Sequence, residues 1–233
     1  MKNLTNYQCK SIEEYFELTK SHPQLFKPRK RRKLILDQAK LEQFCLKNDQ
    51  DLGIIAQTAF HIFVNDLVSL DGRPPHAYTR VIGKKSLDGA EGVVVIPVID
   101  DEELGTKGDI IMLEQERHSF GEFMIELPRG FAEPGKSPEE QALEELKTET
   151  GYYGEALIVG RSRTDSGLTN SVTNFVLVLV NEKRTANPEA TELIERVFAT
   201  GRNYVWDDIQ NGVIKDGFTI QGLALYERYL LSQ

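Results

Sequence analysis

Residues 130–152, GFAEPGKSPEEQALEELKTETGY, join a Gly/Pro-rich turn to a helix whose start and stop are both written into the chain. Ser137 predicts the N-cap, Pro138 the first helical position and Glu140 the returning half of a capping box. Gln141, Ala142, Leu143 and Leu146 are good helix formers, and Gly151 predicts a left-handed stop after Thr150. Glu145 and Glu149 fall one turn apart and share a face. Two carboxylates so spaced suit a hard divalent cation, Mg²⁺ or Mn²⁺, held against a phosphate. The same spacing also occurs on plain solvated helix faces, so the helix alone does not choose. Ahead of it, Glu126-Leu127-Pro128-Arg129 closes an apolar, strand-like run, and residues 131–135 form the turn.

Outward from this stretch, residues 1–50 carry two amphipathic helical patterns broken around Pro23 and Pro28. Residues 58–70 are rich in β-formers and end at Asp71-Gly72, a turn dipeptide, with residues 78–82 as the hairpin partner. Residues 92–99 (GVVVIPVI) read as a buried strand. Further strands are expected at 109–114 and 121–127, either side of Gln115-Glu116-Arg117-His118. After the helix, strands are expected at 156–162 and 174–180, and an amphipathic helix at 220–231. Strands, helix, strands, helix is an α/β (α+β) order that several folds satisfy.

With 233 residues, 40% hydrophobic and 27% charged, the composition is that of a globular protein of one domain, or one domain with an extension. The longest apolar run is too short to span a membrane, and the first twenty residues lack the apolar core of a signal peptide, so a cytoplasmic location is expected. Cys9 and Cys45 form no metal-binding pattern and no disulfide framework. A net charge of −8 argues against nucleic-acid binding by the whole surface. The exception is the run at residues 27–33, with six positive charges in seven residues and no interleaved aromatics. It reads as a solvated turn and helix entry or as a phosphate contact.

The central stretch resembles the Nudix box: Gly, five residues, Glu, seven residues, then Arg-Glu-apolar-any-Glu-Glu-any-Gly-apolar. Gly130, Glu145, Leu146, Glu149, Gly151 and Tyr152 fall in register. Lys136, Glu144 and Thr148 stand where Glu, Arg and Glu belong. The resemblance covers roughly residues 58–231 and implies an α/β/α sandwich around a mixed sheet. That places a helical extension at residues 1–55 and a Nudix-like domain at 56–233. Gln115 and Arg117 within LEQERH, Glu126-Leu127-Pro128, and Asp216-Gly217-Phe218-Thr219 are similar to members of the ADP-ribose pyrophosphatase type. The loop Thr164-Asp165-Ser166-Gly167 has Ser where that type carries a proline.

What the resemblance implies is metal-dependent hydrolysis of a nucleoside diphosphate linked to a sugar, at the pyrophosphate. It further implies a homodimer whose strands at residues 58–82 reach across the interface. Glu145, Glu149 and the Arg129 carbonyl would be the metal ligands, and Arg117, Glu126 and Arg129 would meet the substrate. Glu189, Glu192 and Glu195 are candidates for the base, with Glu192 preferred; an exposed acidic turn is the other reading of all three. His118 reads as an exposed loop residue. Thr148 replaces a ligand carboxylate by a weak neutral hydroxyl. The alternative is therefore a Nudix domain that binds nucleotide as a sensor or interaction module without turnover. Lys136 and Glu144 invert both signs of the family's structural ion pair, so either a reversed pair ties loop to helix or both positions have drifted.

Overall fold

The computed structural model describes residues 3–28, 30–131, 133–188 and 192–233. The chain divides into two compact units, one of residues Met1–Asp88 with Asp165–Ser171, the other of Gly89–Thr164 with Val172–Gln233. Among the described residues no helix is long and apolar enough to cross a membrane.

In the first unit, helix α1 (Asn6–Ser21) starts at a capping box between Thr5 and Gln8. Strand β1 (Arg32–Leu34) precedes helix α2 (Gln38–Asn48), and β2 (Gly53–Gln57), β3 (His61–Leu70) and β4 (His76–Gly83) follow. β3 is the centre of the sheet, with β4 along one edge and β1 and β2 end to end along the other. The hairpin expected around Asp71-Gly72 is present. The unit includes these strands as well as the helices because Ile12, Tyr15, Leu41, Leu52, Val64, Leu67 and Ile82 form one apolar core. Part of the basic run differs from its expected turn and helix entry. Arg32 and Lys33 lie in β1, Arg32 stacked 4.8 Å over the Tyr78 ring, and Lys33 lies 4.0 Å from Asp71. Arg29 lies outside the described residues. Residues 165–171 join this unit through the bridge Val81–Thr169 and a 2.7 Å hydrogen bond from the Tyr78 hydroxyl to the Gly167 carbonyl.

The core of the first unit contains a charge. Asp66 is fully buried, Arg80 Nε lies 2.6 Å from its Oδ2, and the Tyr15 hydroxyl donates to Oδ1 at 2.7 Å. Arg80 also donates to the Leu25 carbonyl at 3.0 Å and sits 4.8 Å over the Phe26 ring.

The second unit is a mixed sheet between helices. β5 (Gly92–Ile99) and β10 (Thr173–Lys183) run parallel at its centre. β6 (Ile110–Arg117) and β11 (Ile194–Thr200) extend it one way, and β9 (Tyr152–Ser162) closes the other edge. β7 (Glu122–Glu126) pairs with β6, and the two-residue β8 (Arg129–Gly130) pairs with β5. Buried on both faces, residues Val93–Ile99 of β5 and Phe175–Val178 of β10 are unbroken apolar runs, which is why neither alternates polar with apolar there. Val93, Val95, Val176 and Val178 pack with Ala142 and Leu146 of helix α3 (Pro138–Thr150). Val94, Ile96, Phe175 and Leu177 pack on the other face with Val205 of helix α4 (Arg202–Gln210) and Leu223 and Tyr226 of helix α5 (Gly217–Leu230). This is the expected α/β/α layering.

Three features depart from expectation. β6 continues through Gln115 and Arg117, where a turn was expected, and the turn follows at His118, which is exposed. β11 and α4 were not anticipated. β11 is short and carries Glu195 and Arg196 outward, while α4 begins at Gly201 without any side-chain cap.

The Asp66–Arg80 pair generates a stability prediction. Removing one member of a buried ion pair strands the other charge, at a cost of about 3–5 kcal/mol. Arg80→Ala is therefore expected to lower the unfolding free energy by roughly that amount in urea titration, and Tyr15→Phe by about 1 kcal/mol.

Candidate active site

The capped helix is built as its sequence specifies. Ser137 Oγ accepts from Glu140 N at 3.2 Å, and Glu140 returns the bond to Ser137 N at 2.8 Å. Gly151 ends the helix with φ +76°, and its N–H bonds to Lys147 O. The turn before the helix is tied to it twice. Gln141 donates to the Phe131 carbonyl, and Lys136 pairs with Glu144 and, at 2.9 Å, with Glu133. Lys136 and Glu144, the two sign-inverted positions, are thus in contact, and the two carboxylates raise the lysine pKa.

Behind the turn, β8 lies close against α3. A Cβ placed on Gly130 would overlap the carboxylate of Glu145, so only glycine lets that side chain lie against the strand. Val95 N–H donates to the Pro128 carbonyl at 2.8 Å. By the alternation of an antiparallel ladder, the next carbonyl, that of Arg129, turns away from β5. The Glu145 carboxylate thus lies against Gly130, the residue that follows the Arg129 carbonyl.

Glu149, one turn further along, is 2% exposed, and its Oε2 has no hydrogen-bond partner among the described residues. Its pKa is pushed up to about 9, first by burial and then by the charges of Glu192, Glu145 and Glu126, with Arg117 opposing. Glu192 is thus the strongest charged neighbour of Glu149, and it precedes the point where Ile194 pairs with Gln115. Glu195 lies on β11, and Glu189 falls outside the described residues.

Glu126 forms the floor. It is 1% exposed and held between two guanidinium groups, Arg117 on one oxygen and Arg129 at 3.3 Å on the other. Burial raises its pKa, and Arg129 and Arg117 work against that rise. Arg129 is fixed further by Asp216 at 3.8 Å and by stacking 4.7 Å over the Phe218 ring. Asp216 is also the N-cap of α5 and accepts from Thr219 N at 2.8 Å. Sequence reasoning gave Asp216 and Phe218 no role here. Gln115, buried at 3% exposure with an unpartnered Oε1, was equally unassigned. Arg117 Nε is a further buried donor without a hydrogen-bond partner among the described residues.

These groups fit a divalent cation. Carboxylates and a carbonyl are hard oxygen donors, and crowded like charges need a positive neighbour. Among the described residues no three His, Cys, Asp or Glu side chains form a ready-made cage, so two carboxylates and a carbonyl are the set at hand. Thr148 does not enlarge it. Its hydroxyl donates 2.6 Å back to the Glu144 carbonyl, within the helix.

The sequence and the fold have known counterparts. No family model matches the chain. An ADP-sugar pyrophosphatase of Mus musculus is 40% identical over 93 residues, 40% of this chain and 42% of that protein. An ADP-ribose pyrophosphatase of Bacillus subtilis is 28% identical over 190 residues, 78% of this chain and 97% of that protein. The chain resembles the Nudix hydrolases. The fold agrees: a crystal structure of an ADP compounds hydrolase superposes with a TM-score of 0.65 at 16% identity, covering 77% of this chain and 91% of that one. The match to the mouse protein spans less than half of that relative's length.

Two outcomes follow for the Nudix-like box. Lys136→Glu and Glu144→Arg are each expected to lower the melting temperature by roughly 1–4 °C. The double substitution, which restores the family's order of signs, should recover most of the loss. Second, between about pH 5 and pH 9 the folded, metal-free protein keeps a proton on Glu149 that the unfolded chain releases. Its stability therefore falls as pH rises through that window. Glu149→Gln should flatten that slope in denaturant titrations run from pH 5 to 9.5.

Proposed function

We propose that this protein hydrolyses the pyrophosphate of a nucleoside diphosphate linked to a sugar, of the ADP-ribose class, with a divalent metal ion, Mg²⁺ or Mn²⁺. The single observation that carries the reading is Glu149. A buried carboxyl group with an unpartnered oxygen, on which the charges of Glu192, Glu145 and Glu126 act, sits in a Nudix-like turn–helix. Glu145, Glu149 and the Arg129 carbonyl would hold the cation. When bound, it supplies Lewis-acid charge at phosphate oxygens and acidifies bound water.

The chain's own groups supply the rest. Arg117 and Arg129 are about a quarter exposed and anchored on Glu126, which keeps two guanidinium forks in place for the oxygens of a diphosphate. Preorganised cations of this kind stabilise the charge that develops as water adds to phosphorus and the bridging P–O bond breaks. Glu192, close to Glu149, takes the proton of the attacking water. Hydrolysis leaves a nucleoside monophosphate and a sugar phosphate. The relatives' names support the substrate class, and the family resemblance supports a homodimer with residues 58–82 at its interface.

Thr148 favours a second reading, a nucleotide-binding module without turnover, because its hydroxyl is committed to the helix backbone. Product release from ADP-ribose with Mg²⁺ and Mn²⁺ separates the two. Turnover that Glu149→Gln lowers by about 100-fold or more supports the hydrolase. Saturable nucleotide binding with no product at any metal concentration supports the module.

A further inference from the structure

Leu127 falls between β7 and β8, in the short stretch that carries Glu126 and Arg129. Its buried N–H donates to the Thr219 hydroxyl of α5 at 2.9 Å, across 92 positions of chain. The next residue, Pro128, has no N–H, and its carbonyl accepts from Val95 of β5 at 2.8 Å. The stretch is thus tied both to β5 and to the first turn of α5.

That turn does more than start a helix. Asp216 is the N-cap, and its Oδ2 accepts from the Thr219 N–H and from the Thr219 hydroxyl, each at 2.8 Å. The hydroxyl therefore has both roles fixed, donating to Asp216 and accepting from Leu127. Thr219 is fully buried, and Gly222 leaves room for Leu127, whose side chain a Cβ there would meet at 2.9 Å. The other carboxylate oxygen of Asp216, Oδ1, lies 3.8 Å from Arg129 Nη1, and the Phe218 ring lies 4.7 Å from the same guanidinium. An N-cap needs only one oxygen. Here a second oxygen, a hydroxyl and a ring all address the segment that carries Arg129.

Charge alone does not account for Asp216. An acid beside Arg129 lowers the positive potential that a diphosphate would meet, so its charge opposes anion binding. Its position favours binding. A guanidinium held by Asp216, by Glu126 at 3.3 Å and by the Phe218 ring has little rotamer freedom left to lose.

We propose that Asp216, Phe218 and Thr219 are positioning residues of the substrate site. Asp216 and Phe218 set the Arg129 guanidinium for a diphosphate, and Thr219 sets the backbone that presents the Arg129 carbonyl. The first turn of α5 thereby belongs to the site, acting through Arg129. This rests on the reading of Arg129 as a diphosphate contact.

Calorimetric titration of the full chain with ADP-ribose in EDTA, where binding is read without turnover, tests this. Asp216→Asn keeps an oxygen for the cap and removes the charge, and Phe218→Leu removes the stacking. Each is expected to weaken binding roughly three- to tenfold, although loss of an acid would by charge alone tighten it. In an Arg129→Gln background the Asp216→Asn effect should shrink to less than about twofold. Mn²⁺ titration should find the metal affinity of Asp216→Asn unchanged. Thr219→Val, which strands the Leu127 N–H, should weaken both ADP-ribose and Mn²⁺ binding, and Thr219→Ser should restore both. Unchanged or tighter ADP-ribose binding in Asp216→Asn and Phe218→Leu, or a full Asp216→Asn effect without Arg129, overturns the positioning role alone. No saturable binding by the unaltered protein up to about 10 mM ADP-ribose overturns the diphosphate reading of Arg129 with it.

Discussion

Glu149 holds a carboxyl group where its charge cannot stand alone. It is buried, one oxygen is unpartnered, and three other acids add their fields to its own. Without a cation the group keeps its proton at neutral pH. With one, the same crowding becomes affinity, because each neighbouring carboxylate that opposed ionisation now attracts the ion. The surrounding architecture serves to keep these acids together against their repulsion.

That holding is done by backbone geometry and by pairs of opposite sign. Gly130 removes the Cβ that would displace Glu145, and β8 turns the Arg129 carbonyl outward from β5. Glu126 is tolerated at full burial because two arginines bracket it, and Arg129 is pinned in turn by Asp216 and Phe218. At the turn, Lys136 and Glu144 carry the family's two charges in exchanged positions, and contact survives the exchange. Attraction between opposite charges is blind to which partner bears which sign. A coordinating carboxylate has no such freedom, and that is why Thr148 differs in kind from the inverted pair.

Much of this was legible in the residues. The capped helix, its Gly151 stop, the one-turn spacing of Glu145 and Glu149 and the apolar central strands are local features with strong chemical signatures. The layering followed from the resemblance of the turn–helix to the Nudix box, since the order of elements alone fits several folds. The parts that were not legible depend on long-range placement. Gln115 and Arg117 looked like a turn because they are polar, whereas they continue a strand whose polar end faces the carboxylates. β11 and α4 lack the usual signals, an alternating apolar face in one and a capping side chain in the other. The link between Asp216 and Arg129 spans 87 positions of chain and exists only once α5 docks on the sheet. Nor could sequence foresee that β2, β3 and β4 share a core with the amino-terminal helices, since that grouping rests on contacts such as Tyr15 with Asp66.

The most direct test is the proton count on metal binding. Mn²⁺ or Mg²⁺ is titrated calorimetrically into the protein at pH 7.5 in buffers of different ionisation enthalpy. A carboxyl group with a pKa of about 9 must lose its proton to become a ligand, so close to one proton should be released per ion bound. That release should vanish in Glu149→Gln. Binding without proton release, or the same release in the variant, would contradict the account of Glu149 as a buried acid that a cation ionises.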